Sequence, residues 1–166
     1  MSRLDSFIRR LTAQRACLDR AAEIIRDLDG PVLELGLGNG RTYDHLRSIL
    51  PDREIFVFER KVAAHPDCIP DDAHLISGDL AETLPRAAER IPAPAALAHA
   101  DIGSGDAEAT ARNAARVAVA LPVLLAPGAV VAADQPLDDP RLRPIDLPEG
   151  VAPGRYHLYL RVEVPE

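Results

Sequence analysis

Apolar residues recur at helical spacing through the first 28 positions: Leu4, Phe7, Ile8 and Leu11, then Leu18, Ala21, Ala22, Ile25 and Leu28. They predict an amphipathic helix over 3–28, stopped by Asp29-Gly30-Pro31. The pattern then changes to short apolar runs. Val32 to Leu35 reads as a buried strand, and a helix pattern over 42–50 ends before Pro51. Glu54 to Glu59 is a second strand, β-branched and aromatic, and 73–77 a third. A helix is expected over roughly 81–90 and a fourth strand over 95–102. An alanine-rich helix over 107–121 ends at Pro122, with Val123 to Ala126 prolonging it. Pro127-Gly128 should turn the chain into a fifth strand, 129–133, ending on Asp134. Tyr156, Leu158, Leu160, Val162 and Val164 alternate to one side, a last strand. The Pro- and Asp-rich stretch 136–154 carries no period.

Alternating strand and helix patterns predict an α/β fold: a Rossmann-like, doubly wound, mostly parallel sheet with helices on both faces. In such a sheet the ligand crevice lies at the C-terminal strand ends, where strand order reverses. The expected organisation is a single domain, with a helical segment over 1–30 packing on or capping the ligand-binding domain over 31–166.

The chain has 166 residues, 47% of them hydrophobic and 27% charged, which suits one globular domain with a real core. Aromatics make up 4% and there is no Trp, so stacking platforms for single-stranded nucleic acid are few. The net charge of −7, with no basic stripe, argues against a nucleic-acid partner, whose binding draws on counterion release. No run reaches membrane-spanning length, and Met1-Ser-Arg opens no apolar signal core. Cys17 and Cys68 lack metal-type spacing and read as reduced thiols. A cytoplasmic protein with no membrane partner is expected.

The positions just after each expected strand hold Gly36, Gly38 and Gly40, then Glu59, Asp79, Asp101 and Asp134. Glycines between a strand and a helix let a ligand lie against bare backbone near a helix N-terminus. Glu59, roughly 20 residues on from the glycines, suits a ribose diol, since a carboxylate accepts two hydrogen bonds at once. That acid alone does not separate NAD from other adenosine cofactors. Three details do. Glu34, two residues before the first glycine, would repel a pyrophosphate and welcome a cationic amino-acid ligand. The glycines run G-x-G-x-G and not G-x-G-x-x-G. Gly78-Asp79-Leu80 offers an acceptor for an adenine amino group.

On these residues the chain resembles the class I S-adenosylmethionine-dependent methyltransferases. Glu34-Leu-Gly-Leu-Gly-Asn-Gly40 is similar to their first motif, Glu59 to their ribose-binding acid, and Gly78-Asp79-Leu80 to their adenine-side segment. His99-Ala-Asp-Ile102 is similar to the segment beneath the methionine end, and Pro127-Gly-Ala-Val-Val131 to the turn before the fifth strand. The resemblance covers residues 31 to 134. It implies a sheet ordered 3-2-1-4-5-7-6 with one antiparallel C-terminal strand. A helix that the family places between strands five and six gives way here to the 136–154 stretch.

It also implies S-adenosylmethionine as cofactor and methyl donor, with Glu34 near its amino group and Gly36, Gly38 and Gly40 against its backbone side. Glu59, with Arg60 beside it, would take the ribose, Gly78, Asp79 and Leu80 the adenine, and Asp101 a place near the methionine end. The expected acceptor is a small molecule, and a homo-oligomer is compatible with so short a chain. No catalytic residue is singled out.

Blander roles compete. Asp79 is placed to cap the following helix. His99 reads as a satisfied core histidine, and Tyr43 and His45 as helix-surface or packing residues. Tyr156, His157 and Tyr159 read as strand packing, and Arg9, Arg10 and Arg15 as a solvated helix face. Metal-dependent O-methyltransferases of the catechol type place acids where Asp101 and Asp134 stand. Gln135 departs from their Asp-Asn pair, and no metal is assigned. The rival functions are an NAD-binding oxidoreductase domain and a non-catalytic sensor or partner subunit that binds the same cofactor.

Overall fold

The computed structural model describes residues 1–165. Helix α1 spans Arg3–Ile24 and opens with a reciprocal cap, in which the Ser2 hydroxyl accepts from the Asp5 N–H and the Asp5 carboxylate accepts from the Ser2 N–H. It ends four residues before Leu28. The Arg53 guanidinium draws the Ile25 and Gly30 carbonyls into a turn, at 2.9 and 2.8 Å, and the helical spacing of Ile25 and Leu28 continues only as packing.

Strands β1 (Val32–Leu35), β2 (Ile55–Glu59), β3 (Leu75–Ser77), β4 (Ala95–Ala100), β5 (Leu125–Ala133), β6 (Leu142–Pro144) and β7 (His157–Arg161) form one sheet. Its order is β3-β2-β1-β4-β5-β7-β6. β1 to β5 pair in parallel, and β7 runs antiparallel to both of its neighbours. This is the order implied by the family resemblance. Helices α2 (Arg41–Ile49), α3 (Leu80–Thr83) and α4 (Ala107–Ala120) complete the fold.

Prolines account for several local departures from the expected elements. The helix expected over 81–90 tightens into a 3₁₀ segment, Leu84–Glu89, at Pro85, and α4 gives way to another, Leu121–Leu124, at Pro122. Pro127-Gly128 does not start a new strand. β5 runs straight through it from Leu125, with Ala95 paired to Leu125 but Leu97 to Val130. Gly128, at φ +85°, absorbs the irregularity. β6 lies inside the stretch that showed no period, and is held by pairing with β7.

Side chains alternate across the sheet. Leu33, Leu35, Phe56, Phe58, Ala98, Ala100, Val131 and Ala133 face α4 and the 3₁₀ segments. Val32, Val57, Leu97, Val130, Ala132 and Leu158 face α1 and α2. β4 is fully buried and built largely from alanine, which lets its neighbours approach closely. Cys17, within α1, is buried among these residues, and that burial pushes its thiol pKa up to about 11. A thiol reagent at pH 8 should therefore modify only the half-buried Cys68 in the native protein, and both cysteines after denaturation. Mass spectrometry of the adducts reads this directly.

Candidate active site

The β1–α2 loop is shaped by glycine. Gly36, Gly38 and Gly40 all have positive φ, at +89°, +53° and +84°. A Cβ on Gly36 would lie 2.5 Å from the Asp101 carbonyl oxygen, so only glycine lets the ends of β1 and β4 come together there. Gly38 has nothing within 4 Å of where its Cβ would be, and presents bare backbone. Gly40 is the N-cap of α2, and its Cα faces the 64–68 loop, where a Cβ would lie 2.4 Å from that of Cys68. Its need for glycine is therefore one of packing.

Glu59, at the end of β2, reaches back to this loop. One carboxylate oxygen accepts the Leu37 and Gly38 N–H groups at 2.8 and 3.2 Å, and the other accepts the Lys61 N–H at 3.0 Å. Asp79 caps α3 through the Ala81 N–H at 2.8 Å. A crevice of about 230 Å³ opens at these strand ends. Gly36, Glu59, Arg60, Gly78, Asp79, Leu80 and Asp101 all line it, together with Phe58, Ile102, Ser104, Ala109 and Asn113. The sequence points to seven of these residues as cofactor contacts and to Ile102 through the segment at the methionine end, but not to Phe58, Ala109 or Asn113. Ala109 and Asn113 lie one turn apart on α4, and nothing in their own pattern marks a ligand site.

Glu34 does not line the crevice. Strand alternation turns it toward α1 and α2, directly opposite His99 in the β1–β4 register. Both residues are fully buried. One Glu34 oxygen accepts the Thr42 hydroxyl at 2.6 Å and contacts His99 Nδ1 at 2.9 Å. The other, Oε2, has no partner. His99 Nε2 meets the Tyr156 hydroxyl, and the Gln14 side-chain amide donates to both Tyr156 (3.3 Å) and Asp101 (3.2 Å). A buried polar chain thus runs from Asp101 through Gln14, Tyr156 and His99 to Glu34, joining α1, β1, β4 and the residue before β7. With His99 neutral and its proton on Nδ1, each bond has one donor. Gln14 gave no signal in the sequence, since its partners lie 87 and 142 residues away.

Burial raises the Asp101 pKa, and the nearby Asp134 raises it further, against the opposing influence of His99, Gln14 and Arg10. Asp134 accepts the Ile102 and Gly103 N–H groups at 3.0 and 2.9 Å and so fixes the loop after β4. Burial by itself would lower the His99 pKa. The charge and hydrogen bond of Glu34, aided by Asp101 and Asp134, outweigh it and raise the value.

A histidine whose folded pKa is raised adds stability that is complete below its unfolded value, near 6.5, and is lost as pH climbs through the folded value. His74 is raised in the same sense by Asp71 and Glu54, so the comparison belongs in a His74→Gln background. There, the unfolding free energy should still decline above pH 6.5, and NMR titration of the His99 imidazole should place its midpoint above that of a free histidine. Tyr156→Phe keeps the shape but leaves His99 Nε2 and one Gln14 N–H unpaired in the interior. It should cost about 2–3 kcal/mol in urea unfolding.

Strand order, glycine loop and strand-end acids define a class I methyltransferase. The sequence profile of a family described as S-adenosyl-L-methionine methyltransferase matches residues 1–161. The chain belongs to that family and is an S-adenosylmethionine-dependent methyltransferase. It is 46% identical to an S-adenosyl-L-methionine methyl transferase from Silicibacter pomeroyi DSS-3, whose crystal structure superposes with a TM-score of 0.90 over 97% of this chain and 99% of that one. More distant structures share the fold alone. The methyltransferase MycE of the mycinamycin pathway, solved with Mg, SAH and mycinamycin VI, has 18% identity and a TM-score of 0.53 over 87% of this chain and 44% of that one. TrmN from Thermus thermophilus has 15% identity and a TM-score of 0.52 over 86% and 48%. No curated protein sequence matches the chain. Membership in this family replaces the nicotinamide reading of the glycine loop. Among the described residues no helix is long and apolar enough to cross a membrane.

Proposed function

We propose that this enzyme transfers the methyl group of S-adenosylmethionine to a small-molecule acceptor, with the cofactor lying along the crevice at the ends of β1 to β4. One observation carries the placement: seven residues singled out for cofactor contact, drawn from four separate loops, line a single crevice. The residues suit the cofactor in two further respects. Gly38 presents uncovered backbone, and buried Glu34 Oε2 is an acceptor without a donor near the glycine loop.

In this arrangement Glu59 accepts the ribose hydroxyls. Three of its four acceptor positions hold the Leu37, Gly38 and Lys61 N–H groups, so one hydroxyl takes the fourth and a second displaces the longest of these bonds, from Gly38 at 3.2 Å. Arg60 flanks it, Gly78, Asp79 and Leu80 border the adenine, and Asp101 stands by the methionine end. Glu34 stabilises the positive end from below, and Gly36, Gly38 and Gly40 shape the loop above it. The cofactor supplies an electrophilic methyl on a sulfonium cation. The protein's own contribution is alignment and proximity, worth several orders of magnitude in rate without a dedicated base. The net charge of −7 and the acids around the crevice favour a small molecule over nucleic acid as acceptor. Two unpaired thiols, Cys17 and Cys68, suit a cytoplasmic setting.

The test is incubation with methyl-labelled cofactor and a metabolite extract. Label should appear in a product that passes an ultrafiltration membrane. Label confined to macromolecules, or tight cofactor binding with no transfer to any acceptor, would overturn the reading.

A further inference from the structure

Phe7, Arg10 and Gln14 follow one another on α1 at spacings of three and four, so they share a helix face. Gln14, at the inner end, is buried and donates to Asp101. Arg10, one turn outward, is close enough to Asp101 for its charge to lower that carboxyl's proton affinity. Its guanidinium carbon lies 5.5 Å from the centre of the Phe7 ring. Arg41, the first residue of α2, brings a second guanidinium to the same ring at 5.9 Å. Phe7 remains 40% exposed. Among the described residues neither Arg10 nor Arg41 forms an ion pair, whereas Arg47, Arg112 and Arg141 do.

Two cations from different helices thus converge on one half-open aromatic ring in a chain of net charge −7. Cations so placed repel one another unless an anion lies between them. The positive end of α2 adds to the field: its N-cap, Gly40, has no side chain, and only the Asn39 amide oxygen, 3.4 Å from the Arg41 N–H, meets its first turn. No α1 residue lines the cofactor crevice, and Asp101 belongs both to the crevice and to this stripe. A ligand leaving the crevice at Asp101 along α1 meets Arg10 and then Phe7, within about 10 Å of Gln14 at 1.5 Å of rise per residue.

We propose that Arg10 and Arg41 bind a carboxylate or phosphate of the methyl acceptor, and that an apolar ring of the acceptor lies on Phe7. This rests on the small-molecule reading above and names its substrate class: a compact aromatic or similarly apolar acid. The cofactor's own carboxylate is the other source of such an anion. The experiment separates the two by saturating the protein with S-adenosylhomocysteine, the demethylated product, before adding probes.

Benzoate and phenyl phosphate should then bind by calorimetry, and benzamide, uncharged but of the same shape, at least tenfold more weakly. Arg10→Gln and Arg41→Gln, both at exposed positions, should each weaken benzoate about tenfold, the effect of one lost charge-assisted hydrogen bond. Their S-adenosylhomocysteine affinity should stay within about twofold. Benzoate binding no better than benzamide overturns the proposal. So does a tenfold loss of S-adenosylhomocysteine affinity in either variant, which would assign the arginines to the cofactor's tail. Probe binding needs no turnover, so a failed label transfer, which would sink the small-molecule reading, leaves this result separately readable.

Discussion

Gly36→Ala should severely weaken cofactor binding and markedly destabilise the fold. An L-residue at φ +89° carries about 1–2 kcal/mol of backbone strain. Its Cβ would also sit 2.5 Å from the Asp101 carbonyl oxygen, which is backbone of a central strand end and cannot swing aside. Overpacking of that kind adds about 1–3 kcal/mol. Together they give about 3 kcal/mol, or a melting temperature lower by roughly 6–12 °C for a domain of this size. Relief comes only by moving β1 away from β4, and that motion displaces Leu37 and Gly38 from Glu59 and opens the crevice. Calorimetry should find S-adenosylhomocysteine affinity reduced by about a hundredfold or more. Gly38→Ala is the control. Its Cβ meets nothing, so stability should fall by only about 1 kcal/mol while binding still suffers from the methyl placed against the ligand path. Equal stability losses in the two variants would contradict the geometric argument.

Glu59→Ala should have the second largest effect, because one carboxylate is given two tasks. It anchors the glycine loop through the Leu37 and Gly38 N–H groups and the following loop through the Lys61 N–H. It is also the residue proposed to hold the ribose. Hydrogen bonds to a charged group are worth about 1.5–3 kcal/mol each, so losing the ribose contacts should weaken S-adenosylhomocysteine about a hundredfold. Losing the loop contacts, which are partly exposed, should destabilise the free protein by about 2 kcal/mol. Glu59→Gln keeps one carbonyl acceptor and should fall between the variant and the native protein on both measures. A Glu59→Ala protein that binds S-adenosylhomocysteine within threefold of the native affinity would remove the ribose role. An unchanged urea midpoint would remove the loop role, and the two results can be told apart.

Much of this protein was open to local reading. The change in apolar period at residue 31 located β1, and alternation of short apolar runs with helical ones established a mostly parallel α/β sheet. Three glycines between a strand and a helix, with acids ending later strands, placed the crevice, because strand ends in such a sheet converge whatever their distant context. Proline blurred the boundaries. Pro85 and Pro122 cut helices into 3₁₀ segments, and Pro127-Gly128, a turn signal by composition, was instead carried within β5 because its neighbours on β4 continued the pairing. β6 had no period of its own to show, since three residues on a sheet edge take their conformation from β7.

The amino-acid sequence by itself determined the class of sheet, the glycine loop and the carboxylates at the strand ends that border the crevice, since each depends on local spacing and strand position. Only the tertiary structure decided that Glu34 turns away from that crevice, buried and paired in register with His99, and that Gln14 and Tyr156 extend the pair to Asp101. It likewise brought Arg41, from α2, to the Phe7 ring that Arg10 already flanks on α1. Such contacts join residues tens of positions apart, and which of them meet is set by the packing of α1 and α2 on one face of the sheet, a global balance of burial that no local period encodes.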